Sequence, residues 1–271
     1  TFDAFRLANY RFMWLATVIF SSGFWLQQVV IGWLAYDVTR SPLLTSIILG
    51  LDALPILLGG LLGGIVTDHF DKRKLIVFIY CYQAILLTIF AVVIATDQIV
   101  TWHLFGFVFM MGVAWTIHDP ARMSLITSIV PKEKLVNAFA LNSMAFSIMR
   151  LCVPAIGGVL ITLTGVGPIF FIQATLTLMA SAIICLIKTE KTADTKKTLP
   201  NSIRTIYPEL IYGLKFAISQ PIIVGLTFTT FLMTILIMPF VQGLMPVYAA
   251  LVFNSGPEKL GLLLSAAGIG S

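Results

Sequence analysis

Seven apolar runs separated by short polar turns constrain this chain more than any other feature. They cover residues 12–37, 43–67, 75–96, 100–118, 137–163, 169–187 and 221–253, and a further run begins at 260. Most approach or exceed the roughly 20 residues that a helix needs to cross a bilayer. Hydrophobic residues make up 58% of the chain and charged residues 11%, whereas a soluble domain carries about 25% charged residues. Strands of a membrane barrel would alternate over roughly ten residues, and that pattern is not evident. The expected class is therefore an all-α, multi-pass membrane protein whose backbone polar groups are satisfied inside helices.

The charges mark a topology. Arg6 and Arg11 precede the first run, Lys72, Arg73 and Lys74 follow the second, and Arg122, Lys132 and Lys134 follow the fourth. Lys188, Lys191, Lys196, Lys197, Arg204 and Lys215 follow the sixth, while the opposite side holds Arg40 and Lys259. Basic loops stay in the cytoplasm, so the N-terminus and the polar, Thr-rich segment after 187 are expected there. This placement accounts for the net charge of +5 without a nucleic-acid partner. The expected division is 1–187 as a six-helix half, 188–220 as a cytoplasmic linker with an amphipathic helix near 207–220, and 221–271 as the start of a second half. Starting without methionine and stopping in an apolar run, the chain is expected to be a fragment at both ends. Cys81, Cys152 and Cys185 lie in apolar runs without metal-ligand spacing and are expected to be small buried side chains.

Residues 59–74, GGLLGGIVTDHFDKRK, carry the densest signal. Glycines at 59, 60, 63 and 64 allow a neighbouring backbone to come close. Asp68 at the membrane boundary needs pairing or hydration, and Lys72, Arg73 and Asp119 are the candidate partners. Gly64, Asp68 and the Lys72-Arg73-Lys74 run resemble the loop signature of the major facilitator superfamily of secondary transporters. The resemblance implies a fold of two six-helix halves, here the N-terminal half with the first helices of the second. It also implies a gating latch of Gly64, Asp68, Lys72, Arg73 and Asp119 that opens and closes between states.

The fifth run holds a second signature. Arg150, Pro154, Gly157 and Gly158 resemble the helix-packing motif of drug and siderophore exporters, with Val153 in place of its first glycine. The 33–42 stretch, Pro120-Ala121-Arg122 and the run from Val130 to Ala138 resemble the branch of enterobactin-type siderophore exporters and macrolide efflux proteins. Internal repetition agrees: Gln27, Trp33, Ala35 and Pro42 superpose on Gln242, Tyr248, Ala250 and Pro257. The second and fifth runs also share a Pro followed by a Gly pair, as expected of an inverted three-helix repeat.

Two charges fall near mid-membrane, where a charge costs at least about 2.5–3.5 kcal/mol. Asp52 is either a proton-coupling carboxylate or a structural and substrate-orienting group neutralised by Arg150. His118 is expected as an interfacial histidine at a helix end. Trp25 and Gln28 with Ser21 and Gly32, Trp115 with Met111 and His118, and Gln242 are the candidate cavity residues. Nothing forms a catalytic constellation, a metal cluster or a phosphate loop, so no enzyme, metal or cofactor is expected. The expected function is export of an amphipathic drug- or siderophore-class molecule from a bacterial inner membrane by a monomeric chain, with protons as coupling ion. A lysophospholipid flippase of the same fold and a non-transporting receptor or scaffold are the alternatives.

Overall fold

A computed structural model describes residues 3–188, 211, 215, 218–232 and 243–269 of the chain. The helices are α1 (Ala8–Thr39), α2 (Pro42–Gly50), α3 (Ala53–His69), α4 (Lys72–Ala95), α5 (Thr101–Ile129), α6 (Leu135–Thr164) and α7 (Gly167–Cys185). They are followed by α8 (Pro221–Leu232), the short α9 (Met245–Val247), a π-helical turn at Tyr248–Val252, and α10 (Pro257–Ile269). Among the described residues, six stretches are long and apolar enough to span a membrane. The surface supports that reading, because Leu57 (74%), Leu58 (72%), Phe78 (69%) and Trp102 (79%) are exposed. Apolar side chains exposed in such numbers mark faces that lipid or further helices cover.

Helix α1 packs on α6 and α7, α4 on α5 and α7, and α3 on α5. Two apolar clusters stack along the bundle. One holds Tyr10, Phe20, Ile76, Tyr80, Leu125 and Ile184, near the N-terminal end. The other holds Val30, Leu34, Phe90, Phe107 and Phe170, at the far end. Buried Gln83 falls between the clusters on α4, and buried Gln27 and Gln173 lie at the inner edge of the far cluster on α1 and α7. The bundle thus has a polar layer at half height.

Prolines explain where the helices depart from expectation. The second apolar run was expected as one helix, but it is interrupted at Leu51 and Asp52. Pro55 has no N–H for the Leu51 carbonyl and its ring crowds that carbonyl. Leu51 O instead accepts from Leu54 N at 3.2 Å, and Leu51 N donates to Ile48 O at 3.2 Å. The fourth run is expected to end at 118; α5 instead continues through Pro120 to Ile129. Ala121, Leu125 and Ile126 are fully buried on that extension, and their burial outweighs one lost hydrogen bond.

The carbonyl that Pro120 leaves without its helical donor is that of Thr116. It faces Gly63 so closely that a Cβ there would lie 2.1 Å from it. Of the four glycines expected to form a smooth face, Gly59 and Gly63 meet Thr116, while Gly60 and Gly64 have nothing within 4 Å. Gly63→Ala should therefore lower the thermal unfolding midpoint, with about 1–3 kcal/mol of overpacking strain. Gly106→Ala, at an open position of α5, should leave the midpoint unchanged.

The seventh run, expected at 221–253, is described only at its two ends. Residues 233–242, including Gln242, and most of the expected linker and amphipathic helix lie outside the described residues. Cys152 and Cys185 are exposed rather than buried, because both lie on helix faces that no other described element covers; Cys81 is partly buried.

Candidate functional site

The half-height polar layer encloses a pocket of about 30 Å³ lined by Gln27, Gln28, Asp52, Gln83, Gln173 and Thr177, with Phe20, Phe24, Met111 and Trp115 among its apolar wall. Asp52 lines it from the break between α2 and α3. Gly112 of α5 secures the break: a Cβ at 112 would lie 2.7 Å from Asp52 O and 2.9 Å from its Cα. Gln173 Nε2 donates to Gln27 Oε1 across the bundle.

A larger cavity, about 590 Å³, lies in the half of the bundle nearest the basic loops. Its lining comes from Ile56 and Gly60 of α3, Trp115, Asp119, Arg122 and Met123 of α5, and Asn142, Ser143, Phe146 and Ser147 of α6. This size falls within the roughly 300–1,000 Å³ of small-molecule sites. Trp115 lines both spaces and forms the wall between them. Its ring stands edge-on to Phe20 and Phe24 and lies 4.7 Å from His118.

Beside the large cavity runs a polar network that the sequence reading missed. Arg122 Nη2 donates to Asp119 Oδ1 at 3.0 Å and Nη1 to Asn142 Oδ1 at 3.3 Å. Thr17 Oγ1 donates to the same Asn142 oxygen at 3.1 Å. Tyr80 OH lies 3.3 Å from His118 Nε2. His118, expected at an interface, is fully buried, because α5 continues past it and Phe20 and Tyr80 cover the ring. Arg122, a loop base by its place in the sequence, stands on α5, and its position three residues after Asp119 is the signal of the pair. Asn142→Leu should leave a buried guanidinium short of an acceptor and destabilise the protein by about 1–3 kcal/mol, read as a lower thermal midpoint.

The other candidate residues fall in separate places. The Asp52–Arg150 pair, one of the two alternatives for Asp52, does not form: the Arg150 guanidinium lies 5.3 Å from the centroid of the Trp25 ring instead. Trp25 is buried, and its Nε1 has no hydrogen-bond partner. The expected latch is also dispersed. Asp68 is exposed, Arg73 Nη1 donates to Ile187 O at 2.8 Å beyond the end of α7, and Asp119 pairs with Arg122. The physical reason is reach: a free carbonyl at the end of α7 and an arginine one turn away offer nearer partners. Asp71 caps α4, accepting from Lys74 N at 3.0 Å.

Pro154, Gly157 and Gly158 form the junction of α6 with α1 and α10. A Cβ at Gly157 would lie 2.9 Å from a Leu26 methyl, and one at Gly158 would lie 2.5 Å from Pro257 O. One at Gly261 would lie 2.3 Å from Pro154 O. Ala155 N donates to Ser265 Oγ at 3.0 Å. This contact occupies the end of the bundle away from the basic loops, where Gly32 of α1 also meets Pro246.

A family model described as transmembrane secretion effector matches residues 1–271. Among curated relatives, the chain is 24% identical over 257 residues to an uncharacterized MFS-type transporter, YfiS, of Bacillus subtilis (strain 168), covering 93% of this chain and 59% of that protein. It is 22% identical over 238 residues to macrolide efflux protein A of Streptococcus pyogenes, covering 88% and 57%. It is 21% identical over 268 residues to the staphyloferrin A transporter of Staphylococcus aureus (strain NCTC 8325 / PS 47), covering 96% and 64%. The chain thus spans about three fifths of the length of these relatives. Among solved structures, a bacterial homolog of the human lysosomal transporter Spinster, inward-facing and unoccupied, matches with a TM-score of 0.55 and 16% identity, over 68% of this chain and 44% of that one.

Proposed function

The chain belongs to the transmembrane secretion effector family of the major facilitator superfamily, and we propose that it exports an amphipathic small molecule from the cytoplasm by alternating access, coupled to proton entry. The observation that carries the reading is the asymmetry of the bundle. A cavity of about 590 Å³ lies toward the basic loops, while glycine-mediated backbone contact closes the opposite end. With the basic loops in the cytoplasm of a bacterial inner membrane, that arrangement is loaded from inside.

The cavity's chemistry suits a substrate of drug or siderophore class. Trp115, Phe146 and Met123 supply an adaptable apolar wall, and Asn142, Ser143 and Ser147 supply hydrogen bonds. The similarity to a macrolide efflux protein and to a staphyloferrin A transporter supports the same class. The entering proton binds Asp52, because a membrane-buried carboxylate without a basic neighbour in its pocket takes up a proton to lose its charge. Residues 1–187 form the first half, 188–220 the linker, and 221–271 the start of the second half.

Everted vesicles containing the protein should accumulate a fluorescent amphiphile when acidified inside, and a protonophore should collapse the accumulation. Accumulation that persists after collapse would sink the coupling. Asp68, exposed in this state, is proposed to find its basic partners when the halves rock. Asp68→Asn should then slow turnover severalfold while equilibrium ligand binding stays near that of the parent; lost binding with normal cycling would refute the latch.

A further inference from the structure

Gln83 Oε1 is buried in the wall of the Asp52 pocket and has no hydrogen-bond donor. The residue is only 3% exposed, and a buried carbonyl left without a donor is costly. Its surroundings are those of a cation site. Asp52 is the one ionisable side chain lining the pocket, and no Lys, Arg or His accompanies it among the described residues. The remaining polar lining is amide and hydroxyl, from Gln27, Gln28, Gln173 and Thr177.

The backbone adds to this character. The break at Leu51 and Asp52 leaves the C-terminal end of α2, with its partial negative charge, at half height in the membrane. Gly112 packs against the Asp52 backbone and holds the break in place. The pocket's roughly 30 Å³ admits one water-sized group, and a bare Na⁺ is smaller than that.

We propose that the Asp52 pocket is a sodium site, in which Na⁺ is held by the Asp52 carboxylate and the Gln83 carbonyl and competes with the proton. The proposal rests on the reading of Asp52 as the coupling carboxylate and adds a second ion for it. Either ion cancels the carboxylate charge in the membrane. The unpaired Gln83 oxygen can serve either form, accepting from a protonated carboxyl or ligating Na⁺ beside the carboxylate. Potassium, which demands longer bonds to oxygen, fits the small space less well.

The test is thermal unfolding of the purified full-length protein in detergent at pH 8, titrated with NaCl against choline chloride at constant ionic strength. The expected result is a saturable rise in the midpoint with Na⁺ and none with choline or K⁺. Asp52→Asn should abolish the rise, Gln83→Leu should weaken the apparent affinity about tenfold, and Gln83→Glu, which adds a carboxylate, should strengthen it. Size-exclusion elution of each variant at the parent position shows that it is folded. Equal shifts in choline, or a Na⁺ shift that survives in Asp52→Asn, would overturn the proposal. A midpoint that ignores Na⁺ but depends on pH through Asp52 would also overturn it, while leaving proton coupling intact.

Discussion

Asp52→Asn should reduce proton-driven efflux to the level of empty membranes while leaving the protein folded and able to bind its substrate. The carboxylate lies in a pocket with no basic side chain, at the break between α2 and α3. Asparagine keeps its shape and hydrogen-bonding capacity but takes up no proton. The substitution also removes a mid-membrane charge, so the thermal midpoint should hold or rise. Loss of efflux with an unchanged or raised midpoint would separate a coupling role from a structural one. The control is substrate exchange across vesicles with equal proton concentrations on both sides, which should continue in the variant. A variant that still exports against its gradient when vesicles are acidified would remove Asp52 from the coupling step.

The helices were legible because lipid imposes a simple rule: about 20 apolar residues and a polar turn. Prolines were harder to read, because their effect depends on what packs around the freed carbonyl. Pro55 breaks its helix just upstream, at Leu51 and Asp52. Pro120 does not break α5, because Gly63 packs against Thr116 O and the residues beyond are buried against the core. Nothing local distinguishes the two cases. The polar layer was half legible. Gln27 was noted, but Gln83 and Gln173 are lone polar residues in apolar runs, and their convergence needs the packing of α1, α4 and α7. The ion-pair expectations were least secure. Charge alone matched Asp52 to Arg150 and Asp68 to Lys72, while the fold offered Arg150 an aromatic face and gave Arg73 a helix-end carbonyl.

Gly261→Ala should open the closed end of the bundle. A methyl there would lie 2.3 Å from Pro154 O and 3.1 Å from Gly158 Cα and N. These are backbone atoms in helices, so no side chain can turn aside; α6 and α10 must separate by about 1 Å to restore ordinary contact. Overpacking of this kind costs about 1–3 kcal/mol. Spent wholly on the closed state, that shifts the balance between closed and open forms by on the order of tenfold or more. Spin labels at Thr164 and Lys259, on the exposed ends of α6 and α10, should report a distance distribution moved toward longer separations. Efflux should fall with it, because the cavity loads only while that end is shut. Gly225→Ala, where nothing lies within 4 Å, should change neither. An unaltered distribution in Gly261→Ala would mean that the bundle absorbs the methyl elsewhere, and that the glycine contact is packing without being the seal.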